Sequence, residues 1–185
     1  MTYELQPFNQ TRFDVCMAWV AKAFDRTLSQ YEAVKIHALA DALHVVRFHN
    51  PIIGGTLKKL RYGAVALNAL NRAKRWKIDK DAPFEMTDKN GNAMYFKRKP
   101  GSTREAMFTP AERQTILEAA GTVFSMTFAA SQKFFHGESG ENNFLGKAWS
   151  NTHKANAPIS WDAILTAFAA QTGADAAALK SLICT

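Results

Sequence analysis

The segment from residue 30 to residue 48 constrains the fold of this chain more than any other feature. Its apolar residues recur at helical spacing and fill two neighbouring stripes of the predicted helix. A helix that is apolar over so much of its girth must pack on several sides, so we expect it at the centre of the core. Ser29 and Glu32 have the spacing of a capping box at its start. Asn50 and Pro51 end it, because the residue before a proline avoids helical backbone angles.

One acidic residue, Asp41, interrupts the apolar surface of this helix. A buried carboxylate costs free energy unless it is hydrogen-bonded or paired with a cation. The Gly-Gly pair at 54 and 55 permits a sharp turn shortly after the helix. We therefore expect Asp41 to accept hydrogen bonds from backbone amides of this turn, or to pair with Arg47 or Arg61.

The remaining patterns are mostly helical. Apolar spacing predicts helices over residues 13–24 and 64–74, over residues 160–173 with an end near Gly173, and over residues 174–182. A further helical pattern runs from Pro110 to about residue 136, and Thr109 and Glu112 have the spacing of a capping box at its start. Residues 84–87 and 93–97 flank an Asn-Gly pair and predict a β-hairpin. The sequence thus predicts a mainly α protein, with residues 1–185 forming a single compact helical domain that carries a small β-hairpin.

Positive charge is concentrated in one half of the chain. Residues 47–99 contain 13 Lys and Arg against 4 Asp and Glu, a net charge of +9 in a chain whose total is +7. A solvated helix face, a surface for an acidic partner and a phosphate-binding surface all explain such a concentration. Direct nucleic-acid binding is not favoured, because the sequence contains no recognisable RNA- or DNA-binding motif.

Catalytic and metal-binding motifs are also missing from the sequence. It has no nucleophile elbow, phosphate-binding loop, zinc-protease motif or Cys-x-x-Cys pair. A functional acid at Asp41 beside His44 is the sharpest enzymatic alternative, but no second catalytic group is evident. His37 and His44 are two helical turns apart, too far for one ion without further ligands. We expect no enzymatic activity, no metal and no cofactor.

The sequence also predicts the location of the protein in the cell. No apolar run approaches the length of a membrane span, and the N-terminus lacks the apolar block of a secretory signal. Cys16 falls on an apolar stripe, and a disulfide with Cys184 is not expected in the cytoplasm. We therefore expect a cytoplasmic protein that does not associate with a membrane.

The order of several short motifs resembles that of the Panacea domain, the SocA-like antitoxin family of bacteria and phages. The match covers about residues 10–170 and rests on Ala40-Asp41, His44, Arg47-Phe48, Pro51-Ile52, Gly54, Tyr62-Gly63, Phe135-His136, Ala148-Trp149 and the run 158–165. The chain departs from the family pattern at Ala64, where a proline is usual, at Gly55, where Asp is frequent, and in a longer segment between His136 and Ala148.

The resemblance implies an antitoxin that neutralises a cognate protein toxin by direct binding, or that passes the toxin to a protease as an adaptor. A phage-encoded inhibitor of a host defence protein and a nucleic-acid-binding accessory protein are the alternatives. The residues expected to face a partner are Lys58, Lys59, Arg61, Tyr95, Lys97, Arg98 and Lys99, and the hairpin is also expected to pair edge-on with a partner strand. The residues expected to shape the domain are Asp41, His44, Pro51, Gly54, Tyr62, Gly63, His136 and Trp149.

Overall fold

Eight α-helices and two small antiparallel sheets make up the part of the chain that the computed structural model describes, residues 3–90, 93–102, 105–140 and 143–183. The helices are α1 (Gln10–Ala23), α2 (Gln30–Phe48), α3 (Leu67–Arg75), α4 (Pro110–Phe124), α5 (Phe128–Phe135), α6 (Phe144–Asn151), α7 (Trp161–Thr172) and α8 (Ala176–Ser181). The strands are β1 (Leu28–Ser29), β2 (Leu57–Leu60), β3 (Gly63–Ala66), β4 (Phe84–Asn90) and β5 (Ala93–Arg98), and Glu105–Met107 forms one 3₁₀ turn. The prediction of a mainly α protein is confirmed.

Helix α2 lies at the centre of the core, as predicted. Every residue from 33 to 46 is buried, because α3, α4, α7 and strands β3 and β5 surround the helix. Its capping box is formed: the Glu32 amide donates to Ser29 Oγ at 3.1 Å, and the Ser29 amide donates to the Glu32 carboxylate at 2.7 Å. The helix ends at His49, which adopts a left-handed conformation with φ of 66°.

The predicted hairpin is formed by β4 and β5, and its turn residues 91 and 92 lie outside the described part of the chain. A third strand, β1, was not predicted, because two residues are too short to show a period. Since β1 pairs with β5 at Phe96 and Tyr95, the strand order is β1–β5–β4. β5 is therefore the middle strand of this sheet, and the outer edge that the hairpin offers to a partner strand is that of β4.

A second hairpin joins β2 and β3 through the turn at Arg61 and Tyr62. The predicted helix over residues 64–74 is therefore wrong at its beginning, and the helix starts at Leu67. The residues of β3 are buried at all four positions, so the strand reads as a continuous apolar run without alternation. The amide of Lys59 donates to the Ala157 carbonyl, which joins β2 to the segment before α7.

A buried ion-pair network fastens α1 to α3. The Arg72 guanidinium donates to both carboxylate oxygens of Asp14, at 2.9 and 2.8 Å from Nε, and Trp76 Nε1 donates to Asp14 at 2.8 Å. Arg72 also pairs with Asp79, and this hydrogen bond lowers the pKa of the Asp79 carboxyl. The network satisfies a buried carboxylate that would otherwise destabilise the core.

The C-terminal half follows the predicted helical pattern with two differences. The helical pattern predicted from Pro110 to about residue 136 is interrupted, so that α4 ends at Phe124 and α5 begins at Phe128, and α6 was not predicted. Thr109 and Glu112 form the predicted capping box of α4, and Gly173 ends α7 in a left-handed conformation. Cys16 is buried, whereas Cys184 lies outside the described residues. Within the described chain, no helix combines the length and the apolar character needed to cross a membrane.

Candidate functional site: an aromatic pocket over a buried lysine

A pocket of about 450 Å³ opens between the first turns of α2, the β2–β3 hairpin and the beginning of α5. Its volume lies within the range of sites that hold small ligands or single side chains. The pocket is lined by Gln30, Tyr31, Val34, Lys35, Leu60, Arg61, Tyr62, Val65, Leu70 and Phe128. Two of these residues, Arg61 and Tyr62, belong to the sequence-predicted set, and the others do not.

Three aromatic rings form one wall of the pocket. The Phe128 ring packs edge-on against Tyr31 at 5.0 Å and against Tyr62 at 5.9 Å between ring centroids. Phe128 is 55% exposed and Tyr62 is 42% exposed, so the wall presents apolar surface to solvent. The Tyr31 hydroxyl lies 3.1 Å from Ser131 Oγ, and burial raises its pKa. Clustered exposed aromatic side chains are typical of interaction surfaces.

Lys35 lies behind the pocket wall and has no exposed surface. Its Nζ donates to the Ala64 carbonyl at 3.1 Å and lies 4.6 Å from the Phe135 ring centroid. Among the described residues, no carboxylate lies within ion-pair distance of this amine. Because burial penalises the charged form, the pKa of Lys35 falls well below its ordinary value.

Gly63 makes room for this lysine. Its φ is +101°, and a Cβ at this position would lie 2.7 Å from Lys35 Nζ and 2.6 Å from Phe135 Cβ. A side chain here would therefore collide with both residues as well as straining the backbone. The Tyr-Gly turn of the sequence motif and the buried lysine form one structural unit.

His136 and Trp149 hold the β2–β3 turn in place from the other side. His136 Nε2 donates to the Arg61 carbonyl at 3.0 Å, and Trp149 Nε1 donates to the Leu60 carbonyl at 2.9 Å. The two rings stack with a centroid distance of 4.2 Å and an angle of 6°. His136 occupies the C-cap position of α5. Both residues position the hairpin.

The sequence predicted that Lys59 faces a partner, but its ammonium makes contacts within the protein. Its ammonium donates to the Thr152 carbonyl at 2.6 Å, at the end of α6, and lies 4.3 Å from the Trp149 ring centroid. Lys58 is half-buried, and Arg61 is exposed and lies over the Tyr62 ring. Of the three basic residues predicted on this hairpin, Arg61 reaches furthest into solvent at the pocket.

The other predicted partner residues lie in the three-stranded sheet and not beside the pocket. Lys97 is exposed, whereas Tyr95, Arg98 and Lys99 are half-buried. Lys99 Nζ donates to the Lys80 carbonyl at 2.8 Å, and the Arg98 guanidinium donates to the Lys99 carbonyl at 3.0 Å. The structure therefore separates the two predicted basic groups into different sheets.

Asp41 has the structural role that the sequence predicted. Its Oδ1 accepts from the amides of Ile52 and Ile53 at 2.9 Å each, and its Oδ2 accepts from the Gly54 amide at 2.8 Å and from His37 Nε2 at 3.1 Å. The carboxylate thus ties α2 to the turn that follows it. The predicted alternative of a pair with Arg47 is wrong, because Arg47 pairs with Glu118 on α4.

The other residues of this turn are also structural. His44 Nδ1 donates to the Asn50 carbonyl at 2.6 Å, so the acid–histidine pair of Asp41 and His44 is not formed. Pro51 is buried. Gly54 has a φ of +85°, and a Cβ there would lie 2.6 Å from the Pro7 carbonyl oxygen. These contacts close the turn over the end of α2.

One feature of the sequence points to Lys35. Like Asp41, Lys35 is a charged residue within the apolar stretch 33–46 of the central helix. Tyr31 precedes it by four residues and so shares its helix face. Phe128 carried no signal, because its contact with Tyr31 spans nearly a hundred residues of sequence.

Two further findings concern metal binding and similarity to known proteins. Among the described residues, no group of three or more His, Cys, Asp or Glu is placed to hold a metal ion. No protein-family model, no curated protein and no solved structure matches the chain. The resemblance to the Panacea domain therefore stays a prediction from the ordered motifs.

Proposed function

We propose that this chain is an antitoxin that neutralises a cognate protein toxin by binding it at the aromatic pocket. The observation that carries the proposal is the exposed cluster of Tyr62 and Phe128 beside the guanidinium of Arg61. Tyr, Trp and Arg are the residue types enriched at the energetic centres of protein interfaces. A cluster of this composition at a concave site favours a protein partner over a solvated surface.

The charge of the site indicates the nature of the partner. The exposed charged residue of the pocket lining is Arg61, and the lining contains no acidic residue. The surrounding segment 47–99 carries a net charge of +9. A partner with an acidic rim around an apolar anchor would complement this surface in both charge and polarity.

The hairpin beside the pocket is fixed before any partner arrives. His136 and Trp149 each hold one carbonyl of the β2–β3 turn, and Lys59 fastens β2 to the end of α6. A preformed surface loses little conformational entropy on binding, which favours affinity. Neutralisation would then be steric: the scaffold covers the active face of the toxin. An adaptor role, in which the bound toxin passes to a protease, uses the same surface.

Growth rescue tests the proposal. The chain is co-expressed with the adjacent open reading frame, and the matched charge reversals Arg61→Glu and Lys97→Glu are compared. Both residues are exposed and basic, but Arg61 borders the pocket and Lys97 lies in the three-stranded sheet. We expect the wild type and Lys97→Glu to restore growth and Arg61→Glu to fail, with all three equally folded by circular dichroism.

Each result that differs from this expectation leads to its own conclusion. If the neighbouring gene is harmless alone, or toxic but not relieved by this chain, the antitoxin proposal is wrong, and a host defence protein becomes the target to screen. If Lys97→Glu abolishes rescue and Arg61→Glu does not, the chain is an antitoxin but binds through the three-stranded sheet. A requirement for a host protease would assign the adaptor role.

A further inference from the structure

Helix α3 and the turn that follows it present a concentration of positive charge to solvent. The α3 basic surface consists of six exposed residues, Asn68, Asn71, Lys74, Arg75, Lys77 and Lys80. Within the described part of the chain, no carboxylate lies within ion-pair distance of its four cations. Asp79 already pairs with Arg72, so Asp81 is the one exposed carboxylate among residues 68–81. The surface therefore keeps most of its positive charge available to a partner.

The inner side of α3 is held in the core, which fixes the position of the α3 basic surface. Arg72 is buried and forms the ion pair with Asp14 on α1. Trp76 is also buried, stacks on the Phe13 ring at a centroid distance of 5.5 Å and donates to Asp14. Because these contacts fix the backbone that carries the cations, the conformational entropy lost on binding comes mainly from the cationic side chains.

The residue types of this surface match phosphate groups better than they match a protein interface. Lysine, arginine and asparagine side chains donate to phosphate oxygens in nucleic-acid complexes. Lysine is depleted at protein interfaces, whose binding energy comes mainly from a few buried anchors such as Trp, Tyr and Arg. Three of the four cations are lysines, the one aromatic residue of segment 67–81, Trp76, is buried, and Ile78 is the one exposed large apolar residue of that segment. Because a single exposed apolar residue forms no anchor, the surface fits a phosphate backbone better than an acidic protein.

We propose that the α3 basic surface binds the phosphate backbone of a nucleic-acid duplex, without recognition of its sequence. A helix of nine residues is about 13 Å long, and one strand of B-DNA carries about four phosphates over that length, so the surface is long enough to contact several phosphates at once. Proteins that bind single strands stack the bases on exposed aromatic rings, and the α3 basic surface has none. Backbone binding needs none of the recognition motifs that the sequence lacks. None of the six residues lines the aromatic pocket, so this proposal does not depend on the antitoxin function.

The affinity of the purified full chain for a labelled DNA duplex of about 20 base pairs, measured by fluorescence anisotropy, tests the proposal. Four phosphate contacts predict a slope of about −3.6 when the logarithm of the association constant is plotted against that of the salt concentration, which is an about 150-fold loss of affinity between about 50 and 200 mM salt. The variant Lys74→Gln/Lys77→Gln should halve this slope, to about −1.8. The matched control Lys133→Gln/Lys154→Gln removes two exposed charges from other parts of the chain and should leave the slope unchanged. Circular dichroism should show both variants to be folded like the wild type.

Several results would overturn the proposal. The first is the absence of binding at about 50 mM salt. The second is a slope that does not change in Lys74→Gln/Lys77→Gln, or that changes equally in the control, because the position of the charges would then not matter. If poly-glutamate displaces the duplex as well as unlabelled duplex does at equal charge, the surface fits an acidic protein instead. Tighter binding of a single strand of the same length would refute the assignment to a duplex. The test contains no toxin, so its result is independent of growth rescue.

Discussion

Replacing Asp41 by Asn tests how the turn after the central helix is held. The carboxylate is 2% exposed and accepts four hydrogen bonds, three from the amides of residues 52–54 and one from His37. Asparagine has nearly the same shape, but one of its two terminal groups is a donor. With the amide nitrogen at the Oδ1 position, the Ile52 and Ile53 amides both lose their acceptor. With it at the Oδ2 position, the Gly54 amide loses its acceptor, whereas His37 Nε2 keeps the Gly54 carbonyl as a partner.

The magnitude follows from these contacts. A hydrogen bond to a charged group contributes about 1.5–3 kcal/mol, so one or two lost bonds amount to about 1.5–6 kcal/mol. Removal of the buried charge offsets part of this loss, because the carboxylate no longer has to be desolvated. We therefore expect the free energy of unfolding to fall by about 1–4 kcal/mol, a substantial part of the about 5–15 kcal/mol that is typical of a folded protein.

Urea unfolding followed by far-ultraviolet circular dichroism measures this change. The control is Asp81→Asn, because Asp81 is exposed and the same substitution there should change the stability by less than about 0.5 kcal/mol. If Asp41→Asn unfolds at the same urea concentration as the wild type, the carboxylate does not hold the turn. The structural assignment of the Ala-Asp motif would then be wrong.

Two further predictions concern the buried Lys35 and the glycine beside it. Lys35→Met should stabilise the protein at pH 7. Burial lowers the pKa of Lys35 in the folded state, so the unfolded state binds more protons at every pH below the ordinary lysine pKa of about 10.4. The stability of the wild type should therefore rise with pH toward that of the variant, by at most about 1.4 kcal/mol per pH unit. Urea unfolding at several pH values measures this change. Gly63→Ala should cost about 2–4 kcal/mol, because it adds a collision with Phe135 to a strained φ. Gly101→Ala, at φ +73° with no atom within 4 Å of the added Cβ, should cost only about 1 kcal/mol in the same assay.

The parts of the fold that sequence reasoning predicted are those with local causes. The capping boxes at Ser29 and Thr109 and the stop at Gly173 depend on residues a few positions apart, and each is formed as predicted. The role of Asp41 was also predictable, because a carboxylate in an apolar helix needs donors and the nearest turn offers backbone amides.

The parts of the fold that sequence reasoning did not predict depend on contacts between residues that are far apart in the sequence. β1 exists because Leu28 and Ser29 meet Phe96 and Tyr95, and two residues have no period of their own. β3 was assigned to a helix because its burial on both faces hides the alternation that marks a strand. The aromatic wall needs Phe128 to meet Tyr31, a contact that no local pattern encodes.

The motif residues and the exposed residues have different roles in this protein. Asp41 and Gly54 close the turn after α2, while Gly63, His136 and Trp149 hold the turn at the pocket. These contacts are internal, so the residues specify a scaffold whatever partner it binds. The groups that a partner would meet at the pocket are the Arg61 guanidinium and the rings of Tyr62 and Phe128. Of these, only Tyr62 belongs to the motif set. The same motif order can therefore accompany different partners, and the specificity of this chain should change with Arg61 and Phe128 while the scaffold stays folded.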